Sequence, residues 1–307
     1  MDIKSIMFTK NGAAALALAR VFMNYKIGAK IPTITELSDN LHLSRGTVQN
    51  SLRLLTDNQA IKLESKGHMG TYLINRNMKS LLDFANIQNL VGVMPLPYSK
   101  RYEGLASGLI VAMENQYNIP NSMAYMRGAR NRISMLIADR YDYAVISKYA
   151  AEDYLAKHSD IIVAKELKEH SYLSEHVLMF HSPKKKVIEN GMRVGIDKDS
   201  IDQKRLTELV CAKKKVTLVP LDYSQILQRV LSGDIDAAVW NKDEITDKLI
   251  KINYSKIEID RSSDTQAVIV VSSEHKELAA LLEEIIDVTT VMEIQRLVLE
   301  GKITPSY

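Results

Sequence analysis

The chain has little of what marks secreted proteins, membrane proteins and most enzymes. Its 307 residues contain a single cysteine, Cys211, which excludes an intrachain disulfide and offers no cysteine-based metal site. No apolar run is long enough to span a membrane, so we expect a soluble cytoplasmic protein. The motifs G-x-S-x-G and G-x-G-x-x-G and the Walker phosphate loop are absent, and the histidines are scattered. The nearest approach to a cluster, Glu175-His176 with His181, is interpreted as structural or exposed. We therefore expect no enzyme activity, no cofactor and no metal.

The charge is unevenly distributed along the chain. Residues 1–80 hold eleven lysines and arginines against five acidic residues, whereas the remainder holds 29 basic and 32 acidic residues. Residues 1–80, the N-terminal head, therefore carry a net charge of +6, and the remainder carries −3. This distribution suits a head that binds phosphate groups. The length predicts two or three domains, and an apolar content of 46% is ample for their cores.

The stretch Pro32–Tyr72 has the pattern of two short helices and a hairpin. Thr33 and Glu36 have the spacing of a capping box, and Ser44 is placed to cap a second helix with an apolar face. Residues 61–64 and 71–74 alternate as strands around a glycine-containing basic tip at 65–70. A helix at 11–25 precedes them, after a frayed lead-in at residues 1–10. The whole pattern predicts a winged helix-turn-helix.

This stretch resembles the GntR family of bacterial repressors. The resemblance implies a DNA-binding head, but Thr35 and Gln49 stand where that family usually places arginines. The first turns of the second helix enter the major groove in such motifs, and the wing tip meets the minor groove or phosphate. Arg45 suits phosphate or guanine, and Gln49 or Asn50 suits adenine, although a solvated helix face is the alternative. The matching segments are Ile31-Pro32-Thr33, Glu36-Leu37, Leu43–Val48, Leu52–Leu55, Ala60-Ile61, Gly67 and Gly70-Thr71-Tyr72. The candidate DNA contacts are Thr35, Ser44, Arg45, Thr47, Gln49, Asn50, Lys66, Gly67 and His68.

From Leu90 onward, short apolar strands alternate with helices, which predicts parallel α/β sheets. Residues 141–147 and 234–241 look like an internal duplication, because each has an Asp-x-Ala strand that ends in a polar residue. This pattern is typical of a bilobal, type II periplasmic-binding-protein-like domain, with two α/β lobes around a cleft. The strands are expected at 90–94, 122–126, 143–146, 161–163, 193–196, 216–219, 235–239 and 266–271. The helices are expected at 102–116, 130–139, 149–157, 200–211, 224–232 and, as one long closing helix, 275–300.

This second half also resembles the YhfZ family, a group of regulators with such a C-terminal domain. The resemblance spans essentially the whole chain and implies a repressor or activator with a sensor domain. We expect a DNA-binding domain at 1–77 and an effector-sensing domain at 85–307. The resemblance to the YhfZ family rests on the segments Met94–Tyr98, Tyr102–Leu109, Met126–Ala129 and Pro305-Ser306-Tyr307.

The candidate ligand-binding residues lie where strands end and helices begin, because ligands of open α/β sheets bind there. Arg101 and Arg127 can clamp a carboxylate or phosphate, with Arg127 the stronger candidate, and Trp240 can form a cleft wall. Each has a structural alternative, and Asp222 and Ser224 in particular can be mere helix caps. The candidates are Tyr98, Ser99, Arg101, Tyr102, Glu103, Arg127, Ser147, Asp222, Tyr223 and Asn241.

The sequence thus predicts a transcription regulator whose head binds a roughly palindromic double-stranded operator as a dimer or dimer of dimers. A small, anionic effector in the cleft is expected to modulate that binding. One alternative is a transferase or dehydratase on the same bilobal fold, since fold does not fix function. Another is a regulator whose second domain only oligomerises.

Overall fold

The structure is a computed structural model that describes residues 10–258 and 262–307. Residues 1–9, most of the expected lead-in, lie outside the described residues. Within the two described stretches, no helix is both long and apolar enough to cross a membrane.

The N-terminal part is a three-helix unit with an antiparallel hairpin, as the sequence predicts. The Thr33 hydroxyl accepts a hydrogen bond from the Glu36 amide at 3.2 Å, and the Glu36 carboxylate accepts one from the Thr33 amide at 2.7 Å. This capping box begins the second helix, and His42, in the left-handed region, ends it. The Ser44 side chain caps the third helix through the Thr47 amide. The elements are α1 (Lys10–Met23), α2 (Ile34–Leu41), α3 (Arg45–Asp57), β1 (Ile61–Ser65) and β2 (Thr71–Arg76).

A helix, α4 (Met78–Ala85), leads into the first lobe of the C-terminal part. The sheet of this lobe has the strand order β4-β3-β5-β12-β6, and helices cover both faces. The strands are β3 (Leu90–Met94), β4 (Asn121–Tyr125), β5 (Tyr143–Ser147), β6 (Ile161–Glu166) and β12 (Ala267–Ser272). The helices are α5 (Lys100–Tyr117), α6 (Ala129–Ile137), α7 (Lys148–Leu155), α11 (Lys276–Ile285) and α12 (Val288–Leu299).

The second lobe repeats this plan with a sheet of order β11-β7-β10-β8-β9. Residues 167–175 connect the lobes and lie beside the start of β12, where the Ala267 amide donates to the Ser171 hydroxyl at 2.9 Å. The strands are β7 (His176–Phe180), β8 (Arg193–Ile196), β9 (Thr217–Pro220), β10 (Ala237–Asn241) and β11 (Asn253–Lys256). The helices are α8 (Ile201–Cys211), α9 (Tyr223–Ser232) and α10 (Lys242–Asp247).

The sheets are mixed: four of the five strands in each lobe run the same way, as expected for parallel sheets, and one does not. In each lobe one strand runs against its neighbours, β12 in the first and β7 in the second. Each is the first strand after the chain crosses between lobes. The crossing chain enters a lobe at the edge where the parallel strands end, so its next strand must run the opposite way.

The expected closing helix is also two helices rather than one. The Asp287 carboxylate accepts hydrogen bonds from the Thr289 and Thr290 amides and so begins a new helix, α12, after a break at Ile286. Apolar spacing alone continues across this break, which is why it suggested one helix.

The internal duplication is visible as equivalent central strands, β5 and β10. Asp142, just before β5, accepts a hydrogen bond from the Val91 amide at 2.7 Å. Asp236, just before β10, accepts one from the Arg193 amide at 2.7 Å. Each aspartate therefore anchors the start of the neighbouring parallel strand, which explains the Asp-x-Ala signal in the sequence.

One hydrophobic core joins the N-terminal unit to the first lobe. It runs from Leu18 and Phe22 of α1 through Leu81 of α4 to Leu282 of α11 without interruption. At its edge Arg76 donates to the Met23 carbonyl at 2.5 Å and pairs with Glu284. The second lobe has separate clusters on the two faces of its sheet. The N-terminal unit and the first lobe therefore pack as one body.

Candidate DNA-binding surface and interlobe cleft

The second helix of the helix-turn-helix, α3, is the predicted recognition helix, and it presents its first turns to solvent. Ser44, Arg45, Gln49 and Asn50 are exposed. Val48, on the opposite face, is buried in the core. The buried Ser51 hydroxyl donates to the Asn11 carbonyl at 3.0 Å, which holds α3 against α1. The polar face is thus fixed in orientation by the packing behind it.

The other two predicted α2–α3 contacts are less open, since Thr35 and Thr47 are half-buried. The Thr47 hydroxyl lies 2.8 Å from that of Ser44, so both side chains take part in capping α3. Thr35 lies on α2, the helix that crosses the DNA backbone in this motif.

The wing projects an exposed basic tip. Lys66, Gly67 and His68 are exposed, and the Lys66 ammonium lies 4.8 Å from the centre of the Tyr72 ring. Gly70 has a φ of 98°, and a Cβ there would lie 2.6 Å from the Lys30 side chain, so the turn requires glycine. The tip therefore keeps a defined shape.

The second candidate site is a cleft between the lobes, at the ends of β3, β4, β8 and β10. The cavity has a volume of about 70 Å³. Five of the predicted ligand residues line it: Tyr98, Tyr102, Arg127, Tyr223 and Asn241. The structure brings these residues together from both lobes, as the strand-end argument predicts.

The other five predicted ligand residues do not line this cavity. Arg101 donates to Asp243 at 3.0 Å and to the His170 carbonyl at 2.6 Å, and so ties the lobes together outside the cleft. Ser99 caps α5, and Glu103 accepts from the Tyr307 hydroxyl at 3.3 Å. The buried Ser147 caps α7 and donates to a cleft carboxylate, while the exposed Asp222 pairs with Arg127. These groups support the site without facing its interior.

Arg127 bridges the mouth of the cleft. Its guanidinium donates to the Ser224 hydroxyl at 3.0 Å and lies 3.4 Å from the Asp222 carboxylate. Gly128, which follows it, has a φ of 75°, and a Cβ there would lie 2.9 Å from the Asp199 carbonyl of the other lobe. Both residues belong to the close approach between the lobes.

An aromatic stack forms one wall. The Tyr223 ring lies 4.0 Å from that of Trp240, nearly parallel, and 5.7 Å from that of Tyr98. The Tyr223 hydroxyl donates to the Glu244 carboxylate at 2.7 Å. Burial raises the pKa of Glu244 to about 7 and raises that of Tyr98. The Trp240 ring stacks on the Tyr223 ring but does not itself line the cavity.

Sequence reasoning did not single out several charged groups of the cleft. Arg132 is buried and donates to the Val145 and Met126 carbonyls and to the Tyr172 hydroxyl. Asp202 is buried, and burial raises its pKa to about 6. His176, expected to be merely structural or exposed, lines the cavity and lies 2.9 Å from Asp264. Arg132 interrupts the apolar face formed by Ile133 and Leu136, and that interruption was a usable signal.

The described residues contain no cluster of histidine, cysteine and acidic side chains that could hold a metal ion. What the cleft offers is a set of hydrogen-bond donors, carboxylates and aromatic surface, which suits the binding of a small polar molecule.

Comparison with known proteins agrees with this architecture. A helix-turn-helix domain family matches residues 26–73, and the YhfZ C-terminal domain family matches residues 77–307. The fold resembles that of the amino acid transporter substrate-binding protein AbpA from Streptococcus pneumoniae (TM-score 0.51, 13% identity, 71% of this chain and 97% of that chain). It also resembles the methionine-binding protein MetQ (TM-score 0.50, 13% identity, 72% and 98%). The protein therefore joins a helix-turn-helix domain to a bilobal domain with the periplasmic-binding-protein-like fold.

The chain belongs to the YhfZ family. It is 36% identical over 303 residues to the uncharacterized protein YhfZ of Escherichia coli K12, covering 97% of this chain and 98% of that protein. It is also 36% identical to YhfZ of Shigella flexneri, whose crystal structure it matches with a TM-score of 0.62 over 75% of this chain and 97% of that chain. The family expected from the sequence is confirmed.

Proposed function

We propose that the protein is a ligand-responsive transcription regulator. In this proposal residues 1–77 bind a roughly palindromic operator as part of a dimer, and residues 85–307 bind a small effector with an anionic group. The carrying observation is that the cleft is lined from both lobes, with Arg127 reaching across it to Ser224. A molecule bound there contacts both lobes and so favours one lobe arrangement over another.

The shared core supports a specific route for the signal. The N-terminal unit and the first lobe pack as one body, so a change at the cleft moves the second lobe relative to both. In a dimer whose subunits contact each other through the second lobe, such a movement changes the separation of the two recognition helices, which must match half-sites about one helical turn apart. A coupling of roughly 1–3 kcal/mol between effector and operator is typical of such proteins.

The first test is a gel shift of the full chain on its own upstream promoter DNA, at two salt concentrations and with non-specific competitor. We expect a competitor-resistant complex that weakens steeply with salt, because phosphate contacts release counterions. Arg45→Ala should weaken it about tenfold or more, since Arg45 is placed for a phosphate or guanine contact. Arg205→Ala, which removes an exposed positive charge from the second lobe, should leave binding unchanged.

Binding no better than to random DNA, with and without candidate effectors, would refute the regulator. Turnover of a small molecule without DNA binding would favour the enzyme alternative. Specific DNA binding that no cleft substitution affects would favour a second domain that only oligomerises.

A further inference from the structure

The cleft contains two buried carboxylates that its own cations do not pair with directly. Asp197 and Asp202 line the cavity, and each is only 6% exposed. Asp202 accepts hydrogen bonds from the Ser147 hydroxyl at 2.8 Å, and Asp197 accepts one from the Asp199 amide at 3.0 Å. Among the described residues, neither carboxylate has a lysine, arginine or histidine within salt-bridge distance. Buried carboxylates are costly unless a cation or several donors compensate them.

The cleft arginines are engaged elsewhere. Arg132 directs its guanidinium to two backbone carbonyls and the Tyr172 hydroxyl, and Arg127 directs its own to Ser224 and Asp222. His176 faces the same region, but it already pairs with Asp264. None of these three cations therefore forms an ion pair with Asp197 or Asp202, and both carboxylates are left for a cation that a ligand supplies.

A buried donor lies at the same cavity. Asn241 is 2% exposed and lines the cleft, and its Oδ1 accepts a hydrogen bond from the Asp243 amide at 2.9 Å. Its Nδ2, also buried, has no hydrogen-bond partner among the described residues. Because capping fixes the amide orientation, this N–H group is held ready for an acceptor supplied by a ligand.

We infer that the molecule bound in this cleft is a small zwitterion, with a protonated amine held by Asp202 and Asp197 and an anionic acceptor held by Asn241 Nδ2. Arg127 lies at the mouth of the cleft and is the second donor for the anionic end of the ligand. To bind that end, its guanidinium releases the Asp222 carboxylate. The cavity has room for roughly five water molecules, which limits the ligand to a few non-hydrogen atoms beyond its two charged ends. The inference rests on the proposed function, because it takes the cleft to be a ligand site.

The test uses matched probes on the full chain. Thermal shift and calorimetry are run with the twenty protein amino acids, β-alanine and phosphoethanolamine. Each small zwitterion is paired with its truncated forms, for example alanine with propionate and ethylamine, or serine with 3-hydroxypropionate and ethanolamine. We expect at least one zwitterion to raise the Tm by several degrees and to bind about tenfold or more tightly than both its truncated forms.

Two substitutions assign the ends of the ligand. Asp202→Asn keeps an oxygen for Ser147 but removes the charge, so it should weaken zwitterion binding about tenfold or more without lowering the Tm of the free protein. Asn241→Asp keeps the helix cap but replaces the donor with an acceptor, and it should weaken binding likewise. Asp234→Asn, on an exposed loop of the second lobe, is the matched control and should bind normally.

The inference is overturned if a truncated anion binds as tightly as its zwitterion, if Asp202→Asn binds the zwitterion normally, or if no probe shifts the Tm. These results are distinguishable from failure of the regulator itself. If an anion without an amine changed promoter affinity, the proposal of a zwitterionic ligand would be wrong, but the proposal of a ligand-responsive regulator would stand. If a zwitterion bound without changing promoter affinity, the inference about the ligand would stand, but the proposed coupling between effector and operator would be wrong.

Discussion

Glu244 is a buried carboxylate whose energetics depend on pH. It is 2% exposed, accepts from the Tyr223 hydroxyl and lies 3.6 Å from the Lys248 ammonium. Burial raises its pKa from an ordinary value of 4.5 to about 7. Between these values the folded state keeps a proton that the unfolded chain has released. The contribution of Glu244 to the free energy of unfolding therefore falls as the pH rises through this window, and it is lost completely above pH 7.

We predict that Glu244→Gln flattens this dependence. Near pH 5 the variant and the parent should be similarly stable, whereas at pH 8 the variant should be more stable by on the order of 2–3 kcal/mol, since one pKa unit corresponds to about 1.4 kcal/mol. Urea unfolding between pH 5 and 8 measures this. Glu114→Gln, at an exposed site, should keep the parent's pH profile. A parent whose stability rises from pH 5 to 8 through this group would contradict the assignment.

At the same scale, Arg101 and Arg127 show what a residue type alone cannot reveal. Arg127 lies between β4 and α6, Arg101 lies in the first turn of α5, and the sequence suggests both as a ligand clamp. Arg127 reaches the cleft, but Arg101 turns outward to Asp243, more than a hundred positions away in the chain. The partner decides the role, and that partner is fixed only when the two lobes meet.

At the scale of elements, α5 and α12 pack at unusually close range. A Cβ on Gly108 would lie 2.6 Å from the Val291 carbonyl, and one on Gly104 would lie 3.0 Å from the Gln295 Cα. The buried Gln295 amide then donates to the carbonyls of Arg101 and Ser171, linking the start of α5 to a crossing segment. The glycines at 104 and 108 therefore form a helix-packing face.

We predict that Gly108→Ala destabilises the protein by about 1–3 kcal/mol, because the helices must separate to admit the methyl group. Chemical denaturation followed by circular dichroism measures the change. The same substitution at Gly46, which has no atom within 4 Å of its Cβ position, should be neutral or slightly stabilising because alanine favours a helix. Equal effects at the two sites would contradict the packing argument.

At the scale of the whole molecule, the continuous core means that the DNA-binding unit and the first lobe should share their stability. Leu81, fully buried in α4, lies within that core, whereas Leu206 belongs to a cluster of the second lobe. Local opening follows such cooperative units.

We predict that Leu81→Ala, which should cost about 2–5 kcal/mol, speeds amide hydrogen exchange in both α1–α3 and the sheet of the first lobe. Leu206→Ala should speed exchange mainly in the second lobe. Hydrogen exchange read by mass spectrometry separates these regions. If Leu81→Ala affected only the N-terminal helices, the head would be an independent domain on a linker.

The sequence by itself determined what depends on local chemistry. The capping box of α2, the Ser44 cap of α3, the wing turn, the alternation of strands and helices, and the Asp-x-Ala duplication are set by neighbours a few positions apart. These local signals were enough to predict the N-terminal DNA-binding unit and the bilobal plan. Only the tertiary structure decided the reversed strands, the single core of the head and first lobe, and the pairing of Arg101. It also decided which side chains face the cleft, Asp202 and His176 among them. The reason is physical: burial and charge pairing between distant segments exist only once the lobes have closed on each other, and no spacing along the chain encodes the distance between them.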